Sequence, residues 1–244
     1  MNKVKQIRVL NMGAGVQTTA LLLDNYQVYD YVVFADTGDE RKETYWYIEN
    51  YLKPFCKSKN LEWVTVKAKK TLMAHCLDRK IIPIVTRRWC TEDFKIKPIR
   101  RFLRSIGASH KNPIISDIGI SLDESHRANF NNNVKFQILN YPLVDKKITR
   151  KMCENIILNH GFPIPSKSGC DFCMFNKREW FRQLAIKEPE RFKQIVNMEK
   201  NSYSYGKYYL NGKYPLDMII SNTKLDDFID NDITDTCDSG HCFV

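Results

Sequence analysis

No apolar run in this 244-residue chain is long enough to span a bilayer as a helix. The N-terminal stretch MNKVKQIRVL has no extended apolar segment followed by a small-residue cleavage site. A membrane partner and a secretory signal are therefore set aside, and a cytoplasmic location is the expectation. Without an export signal, the eight cysteines are not expected to form a disulfide framework. Internal repeats and low-complexity linkers are also missing, which leaves one sizeable α/β domain, alone or with a small appended module.

Of the residues present, 43% are hydrophobic, ordinary for a chain that buries a core. The formal net charge is +10 and the pI about 9.1. Such an excess favours polyanionic partners: nucleotides, tRNA or DNA. It equally describes a solvated basic surface, and it carries no information about sequence recognition.

IRVLNM (7–12) reads as a strand, and YVVFAD (31–36) as a second, nearly continuous in apolar residues as buried parallel strands are. LEWVTV (61–66) and PIISDIGI (113–120) are a third and a fourth. Between them the spacing predicts helices over about 16–24, 42–56 and 94–106. Tyr45, Ile48, Leu52 and Phe55 mark one face of the second helix, and Ile99, Phe102, Leu103 and Ile106 that of the third. This alternation predicts an α/β fold, a parallel sheet with helices on both faces. Ligands of such sheets bind beyond the carboxyl ends of the strands. Past about residue 140 the pattern turns helical and cysteine-bearing. Residues 1–140 are thus expected to form the α/β domain, and 141–244 a helical appendage with a Cys-x-x-Cys and a cysteine-containing tail. Residues 201–215, rich in Tyr, Gly and Lys, are expected as loops or a hairpin.

The stretch NMGAGVQTTALLL (11–23) joins the first strand to its helix. Gly13 and Gly15 are expected to take positive φ and leave room for a ligand. Thr18 and Thr19 offer hydroxyls, and the helix N-terminus offers exposed N–H groups with a partial positive charge, which together make an anion site. The Lys-Ser/Thr of a Walker loop and the third glycine of a dinucleotide fingerprint are absent. A tight turn without a ligand would look the same. Asp36, Thr37 and Gly38 are good turn chemistry, and Asp39 and Glu40 are candidate magnesium ligands. Asp123, Glu124 and Arg127 can serve substrate, nucleotide or metal, or close a surface turn with a salt bridge.

Arg87, Arg88, Lys95 and Lys97 surround Cys90 at a helix start. Cations there would favour the thiolate and stabilise a transferring phosphoryl or adenylyl group. A charged helix face with one buried cysteine is the alternative. Cys170 and Cys173 can reach one metal or an iron–sulfur cluster, with Cys90, Cys237, Cys242 and His241 as candidates to complete it. They can equally be a redox dithiol or two unrelated core residues, as Cys56, Cys76 and Cys153 are read. Phe172, Phe175, Trp180 and Phe181 alternate with Lys177, Arg178 and Arg182. Such a pattern can stack bases, although aromatics of this kind more often belong to a core.

Taken in order, five segments resemble the PP-loop superfamily, and within it the phosphoadenosine phosphosulfate (PAPS) reductase family. They are GAGVQTTALLL, FADTGDERKETYWYIENYL, RRWCTEDFKIKPIRRFL with Cys90, Lys95 and Pro98, IGISLDESHRA, and GCDFCMF, over roughly residues 7–180. The resemblance implies a Rossmann-like fold related to the ATP pyrophosphatases (adenine nucleotide alpha hydrolases). It implies a phosphate loop of Asn11, Gly13, Ala14, Gly15, Gln17, Thr18 and Thr19, with adenosine near Asp36, Thr37 and Gly38. Likeness to thiolating PP-loop enzymes, some with a cluster on three or four cysteines, implies Cys90, Cys170 and Cys173 as ligands. A [4Fe–4S] cluster or Zn²⁺ would sit there, with Cys237 or Cys242 as the fourth ligand. The chain departs from the pattern at two places. ATP pyrophosphatases commonly carry Ser-Gly-Gly-x-Asp-Ser in the loop, where Gln17 now replaces the Asp, as in sulfonucleotide reductases. Those reductases end in a Glu-Cys-Gly-(Ile/Leu)-His motif, whereas this chain ends CDSGHCFV.

The function so implied is an enzyme that uses ATP with Mg²⁺, releases AMP and pyrophosphate, and adenylates an acceptor for sulfur transfer or another modification. Cys90, Lys95 and Arg127 would be its catalytic residues, and the basic charge makes tRNA or DNA the preferred acceptor. A homodimer is left open. A sulfonucleotide reductase that releases sulfite, and a non-catalytic nucleotide or nucleic-acid binding protein, are the alternatives.

Overall fold

Val9, Leu10, Asn11 and Met12 are all nearly inaccessible to solvent, as a strand covered on both faces must be. A computed structural model describes residues 6–128 and 134–221 and sets this strand, β1 (Arg8–Met12), at the middle of a five-stranded sheet. The others are β2 (Tyr31–Asp36), β3 (Glu62–Lys67), β4 (Ile114–Ile118) and β5 (Gln137–Asn140). Their order is β3-β2-β1-β4-β5 and every pairing is parallel. Leu10 lies opposite Val32 on one side and Asp117 on the other.

Parallel strands need crossovers, and helices supply those that link β1 to β2, β2 to β3 and β3 to β4. They are α1 (Val16–Asn25), α2 (42–58, with a π-wide turn at Ile48–Leu52), α3 (Leu72–Arg79) and α4 (89–105, with a π-wide turn at Glu92–Ile96). Beyond the sheet lie α5 (Pro142–Asp145), α6 (Arg150–Asn159), α7 (Arg178–Lys187), α8 (Pro189–Lys200) and α9 (Met218–Ser221).

The two faces of the sheet follow the period of two. Leu10, Met12, Val32 and Phe34 join Leu21, Leu22, Ile48 and Leu52 in one core, together with Leu143, Cys153 and Ile157. Val9, Val33, Ala35 and Ile114 meet Ile99 and Leu103 of α4 in another. A third core joins Leu72, Met73, Cys76 and Phe94 to Phe172, Phe181, Ile195 and Leu216. Residues on both sides of position 140 thus share two of the three cores.

One polar group is sealed inside the sheet. Asp117 is fully buried and takes hydrogen bonds from Arg8 Nε at 3.0 Å, Tyr29 Oη at 3.0 Å and Asn140 Nδ2 at 2.8 Å. A carboxylate so placed requires such partners. Burial first, then the Asp117 charge, pushes the Tyr29 phenol above its ordinary pKa.

The expected strands and helices are present, and α3 (Leu72–Arg79) and β5 are additional to them. QILN forms β5 although it is short and half polar, because it pairs with β4 at the sheet edge. The third predicted helix starts five residues earlier, at Trp89, which places Cys90 in its first turn. Residues 201–215 form turns, not a hairpin. Among the described residues, no helix is long and apolar enough to cross a membrane.

Gly119, just after β4, touches α1. A Cβ there would lie 2.5 Å from Thr18 Cγ2 and 3.0 Å from Thr18 N. Gly119→Ala is therefore expected to cost about 1–3 kcal/mol, read as a lower urea midpoint with an unchanged slope. An unaltered midpoint would show that α1 can withdraw freely.

Candidate functional site

The strand order reverses between β1 and β4, so the loops leaving these strands part and open a crevice at their carboxyl ends. That crevice is lined by Gly13 to Thr18 without Ala14, by Ile118 to Ile120, and by Arg150 and Ser166 to Ser168. The first bond of α1 runs from Thr19 N to Gly15 O at 3.0 Å. The N–H groups of Val16, Gln17 and Thr18 therefore precede the helical ladder, and Gly15 at the N-cap has no side chain to cover them. They form the positive end of the helix dipole. Thr18 Oγ1 accepts from Gly13 N at 3.3 Å and donates to Gly15 O at 3.3 Å. Asn11 Oδ1 and Thr19 Oγ1 are buried here without a hydrogen-bond partner.

Positive φ in this loop falls on Ala14 (φ 56), not on Gly13 or Gly15 as expected; Gly15 is extended at φ −96. The reason for glycine at 15 is space, since a Cβ there would meet Ser168 Oγ at 3.1 Å. Gln17 Nε2 donates to Glu124 Oε1 at 3.4 Å, and Glu124 pairs with the buried Arg127. Burial raises the Glu124 pKa, opposed by Arg127. Asp123 accepts the N–H of Arg150 at 2.6 Å and so fixes the start of α6.

A second crevice brings together Thr37, Cys90, Lys95, Cys170 and Cys173, with walls that include Phe172 and Phe175. The wide turn of α4 buries both Phe94 and Lys95. Lys95 Nζ lies 3.2 Å from Glu40 Oε1, with side chains only 7% and 2% exposed. The same oxygen accepts from the Thr37 hydroxyl at 3.2 Å, and Thr37 Oγ1 is 3.2 Å from Cys170 Sγ.

The Cys-x-x-Cys loop is held from β2's side by Arg41. Its backbone N–H reaches Gly169 O at 3.0 Å, its guanidinium donates to Asn176 Oδ1 at 2.6 Å, and it stacks 3.6 Å from the Trp180 ring centroid. Asn176 Nδ2 in turn donates to the carbonyls of Cys170 and Asp171. The segment 166–175 therefore lines both crevices, Ser166–Ser168 the first and Cys170–Phe175 much of the second.

Other predicted residues serve different ends. Asp36 takes the Gly38 N–H and Tyr45 hydroxyl at 2.7 Å each and pairs with Lys67 at 2.8 Å. Burial opposes its ionisation, but these bonds outweigh burial and hold the carboxyl below its ordinary pKa. Gly38 is pressed against Thr71. Asp39 accepts from Met73 N and pairs with Arg191, which also binds Asp171. Asp39 and Glu40, read as magnesium ligands, are thus already engaged. Arg87 is exposed, and Lys97 is exposed and paired with Asp93. Phe172 and Phe181 are fully buried in the core.

Among the described residues, no three His, Cys, Asp or Glu side chains are arranged to hold a metal ion. Cys237, His241 and Cys242 lie outside the described residues. Arg41, Arg150, Lys167, Arg191 and Gly119 were not singled out by the sequence. Arg41 had the clearest signal, a cation directly after an acidic turn. No family model matches the chain, and no curated protein matches it.

Lys95→Met removes the cation from a buried pair, and is expected to lower stability by about 3 kcal/mol. Glu40→Gln with Lys95→Met should recover much of this. Equal denaturation midpoints for wild type and Lys95→Met would show that Glu40 does not depend on the pair.

Proposed function

We propose that the chain is an adenine-nucleotide-dependent enzyme of the PAPS reductase-like PP-loop kind, which binds ATP at the β1/β4 crevice and adenylates an acceptor. One observation carries this reading. Where the strand order reverses, the uncapped N-terminus of α1 shares a crevice with Arg150 and Lys167. Donors and cations converging on one gap at a switch point suit a polyphosphate.

In the proposed reaction an acceptor oxygen attacks the α-phosphorus of ATP. The bond from that phosphorus to the α–β bridging oxygen breaks, and pyrophosphate leaves with the electron pair. The N–H groups of Val16, Gln17 and Thr18 hold the leaving group, where negative charge grows. Mg²⁺ bound with the nucleotide would neutralise phosphate oxygens. A sulfur or nitrogen nucleophile then displaces AMP from the adenylated acceptor. Cys90, Cys170 and Cys173, in the adjoining crevice, would deliver sulfur once a sulfur donor has charged one of them as a persulfide: its outer sulfur displaces AMP, a second of these thiols breaks the S–S bond to free the thiolated product, and an external thiol reductant reopens the resulting disulfide. The net charge of +10 favours a nucleic acid as acceptor.

The test is release of AMP and pyrophosphate in equal amounts by protein prepared without oxygen, given ATP, Mg²⁺ and tRNA or single-stranded DNA. Nucleic acid should stimulate both products. Gly15→Val, which fills the crevice, should weaken ATP binding by about tenfold or more, roughly 1.4 kcal/mol. Cys90→Ser should keep adenylation and lose sulfur incorporation. Sulfite released from PAPS with no ATP consumed would replace this reading with the reductase, and binding without turnover would replace it with a sensor.

A further inference from the structure

Between α8 and α9 the chain runs SYSYGKYYLNGKYPL, residues 202–216, with five tyrosines and no acidic residue. Its base is fixed. The fully buried Glu199 carboxylate accepts the N–H groups of Leu210 and Leu216 at 2.7 Å each, and both leucines are fully buried. Asn211 Oδ1 accepts from Lys213 N and Tyr214 N, and Tyr203 N donates to Lys80 O at 2.9 Å. From this anchored base four rings face solvent: Tyr203 is 81% exposed, Tyr214 48%, and Tyr205 and Tyr208 40% each.

Cations lie beside these rings. Lys80 Nζ is 5.6 Å from the Tyr203 centroid, Lys207 Nζ 5.5 Å from Tyr208, and the Arg178 guanidinium 5.2 Å from Tyr214. Lys213 is exposed in the same segment. Exposed rings held rigidly among cations offer flat faces for stacking and positive charge for a phosphate backbone.

We propose that this surface binds single-stranded nucleic acid, with bases stacked on Tyr203, Tyr205, Tyr208 and Tyr214 and phosphates on Lys80, Lys207, Lys213 and Arg178. Duplex bases have their faces already stacked, so solvent-facing rings select unpaired ones. Within 202–216 the tyrosines are interspersed with lysines and with no acidic residue, which favours a polyanionic partner over a basic protein. The surface also flanks the thiol crevice. Pro83, in that crevice's wall, is three residues from Lys80, at most about 11 Å along the chain. Arg178 follows Asn176, which closes the Cys-x-x-Cys loop, by two residues. This deepens the proposed function by naming where its acceptor lies; it rests on that reading for its purpose, not for its test.

The experiment is fluorescence anisotropy of a fluorescein-labelled oligothymidylate titrated with the full chain, without ATP, at about 50 and about 200 mM NaCl. Wild type should bind, more weakly at the higher salt. Tyr203→Ala with Tyr208→Ala should lose about tenfold or more in affinity, while the matching Phe pair retains it. Lys207→Ala with Lys213→Ala should flatten the salt dependence. Melting temperatures should not change, because the substituted groups are exposed. Absence of wild-type binding, equal affinity of the Tyr→Ala pair, or tighter binding of a duplex would overturn the proposal. So would self-association abolished by the Tyr→Ala pair, which would make the surface an interface between copies. ATP binding measured separately by equilibrium dialysis keeps the two readings apart, since either can fail while the other stands.

Discussion

The backbone leaving β4 passes so close to α1 that Gly119 and Thr18 leave no room for a side chain between them. This contact fixes where the helix begins, relative to the one place where the sheet reverses its strand order. Were α1 to start further from β4, its uncapped N–H groups would point into bulk water, where they would hold an anion weakly. Held where it is, the helix sets them along a crevice that Arg150 and Lys167 also line. The contact also sets how near Gly15 can come to Ser168, and therefore how the segment 166–175 crosses the strand ends.

Charged groups hold that segment down, for a reason that lies in the sheet. The carboxyl ends of parallel strands present turns whose polar groups cannot be left dry without partners. After β2 the turn carries Asp39, Glu40 and Arg41 in succession, each of them buried. Asp39 meets Arg191 of α8, Glu40 meets Lys95 of α4, and Arg41 meets Asn176 and Trp180. Three neighbouring residues thus reach three separate parts of the chain. Arg191 binds Asp171 as well as Asp39, and these two carboxylates, more than its burial, set its charge, holding its pKa above the ordinary value. The helical region beyond residue 140 is joined to the turn after β2 by Asp39–Arg191 and Arg41–Asn176, and to the sheet by the core that Leu143, Cys153 and Ile157 share with Leu10 and Val32.

Much of this frame is legible in the sequence, because strands buried on both faces must be apolar throughout. VVFA and the run around Val9 could hardly be anything else, and helical spacing places Ile48, Leu52, Ile99 and Leu103 inward, where they lie. β5 escapes notice because QILN is four residues long and lies at an edge, so its pairing with β4 decides its state. The backbone of the loop after β1 is also misread locally. Glycine is the usual residue at positive φ, but here Ala14 takes it, and the glycine beside it is present for space. Cys90, Cys170 and Cys173 could be nominated by type alone. Their meeting in one crevice depends on contacts across some eighty residues of chain, which local spacing does not encode. Arg191 is hidden for the same reason, as one of many cations in a basic sequence.

The two crevices differ in chemistry and share a wall, the segment 166–175. The first is built from N–H groups, hydroxyls and cations, suited to oxygen anions; the second sets thiols among Phe172, Phe175 and Leu72. Ser168 lines one and Cys170 the other, so the two walls lie within about 7 Å of each other along the chain. Gly169 stands between them at φ 131, a conformation open to glycine and rarely to other residues. Its carbonyl accepts the N–H of Arg41, so the link between the two walls is short and is held in place from the β2 side.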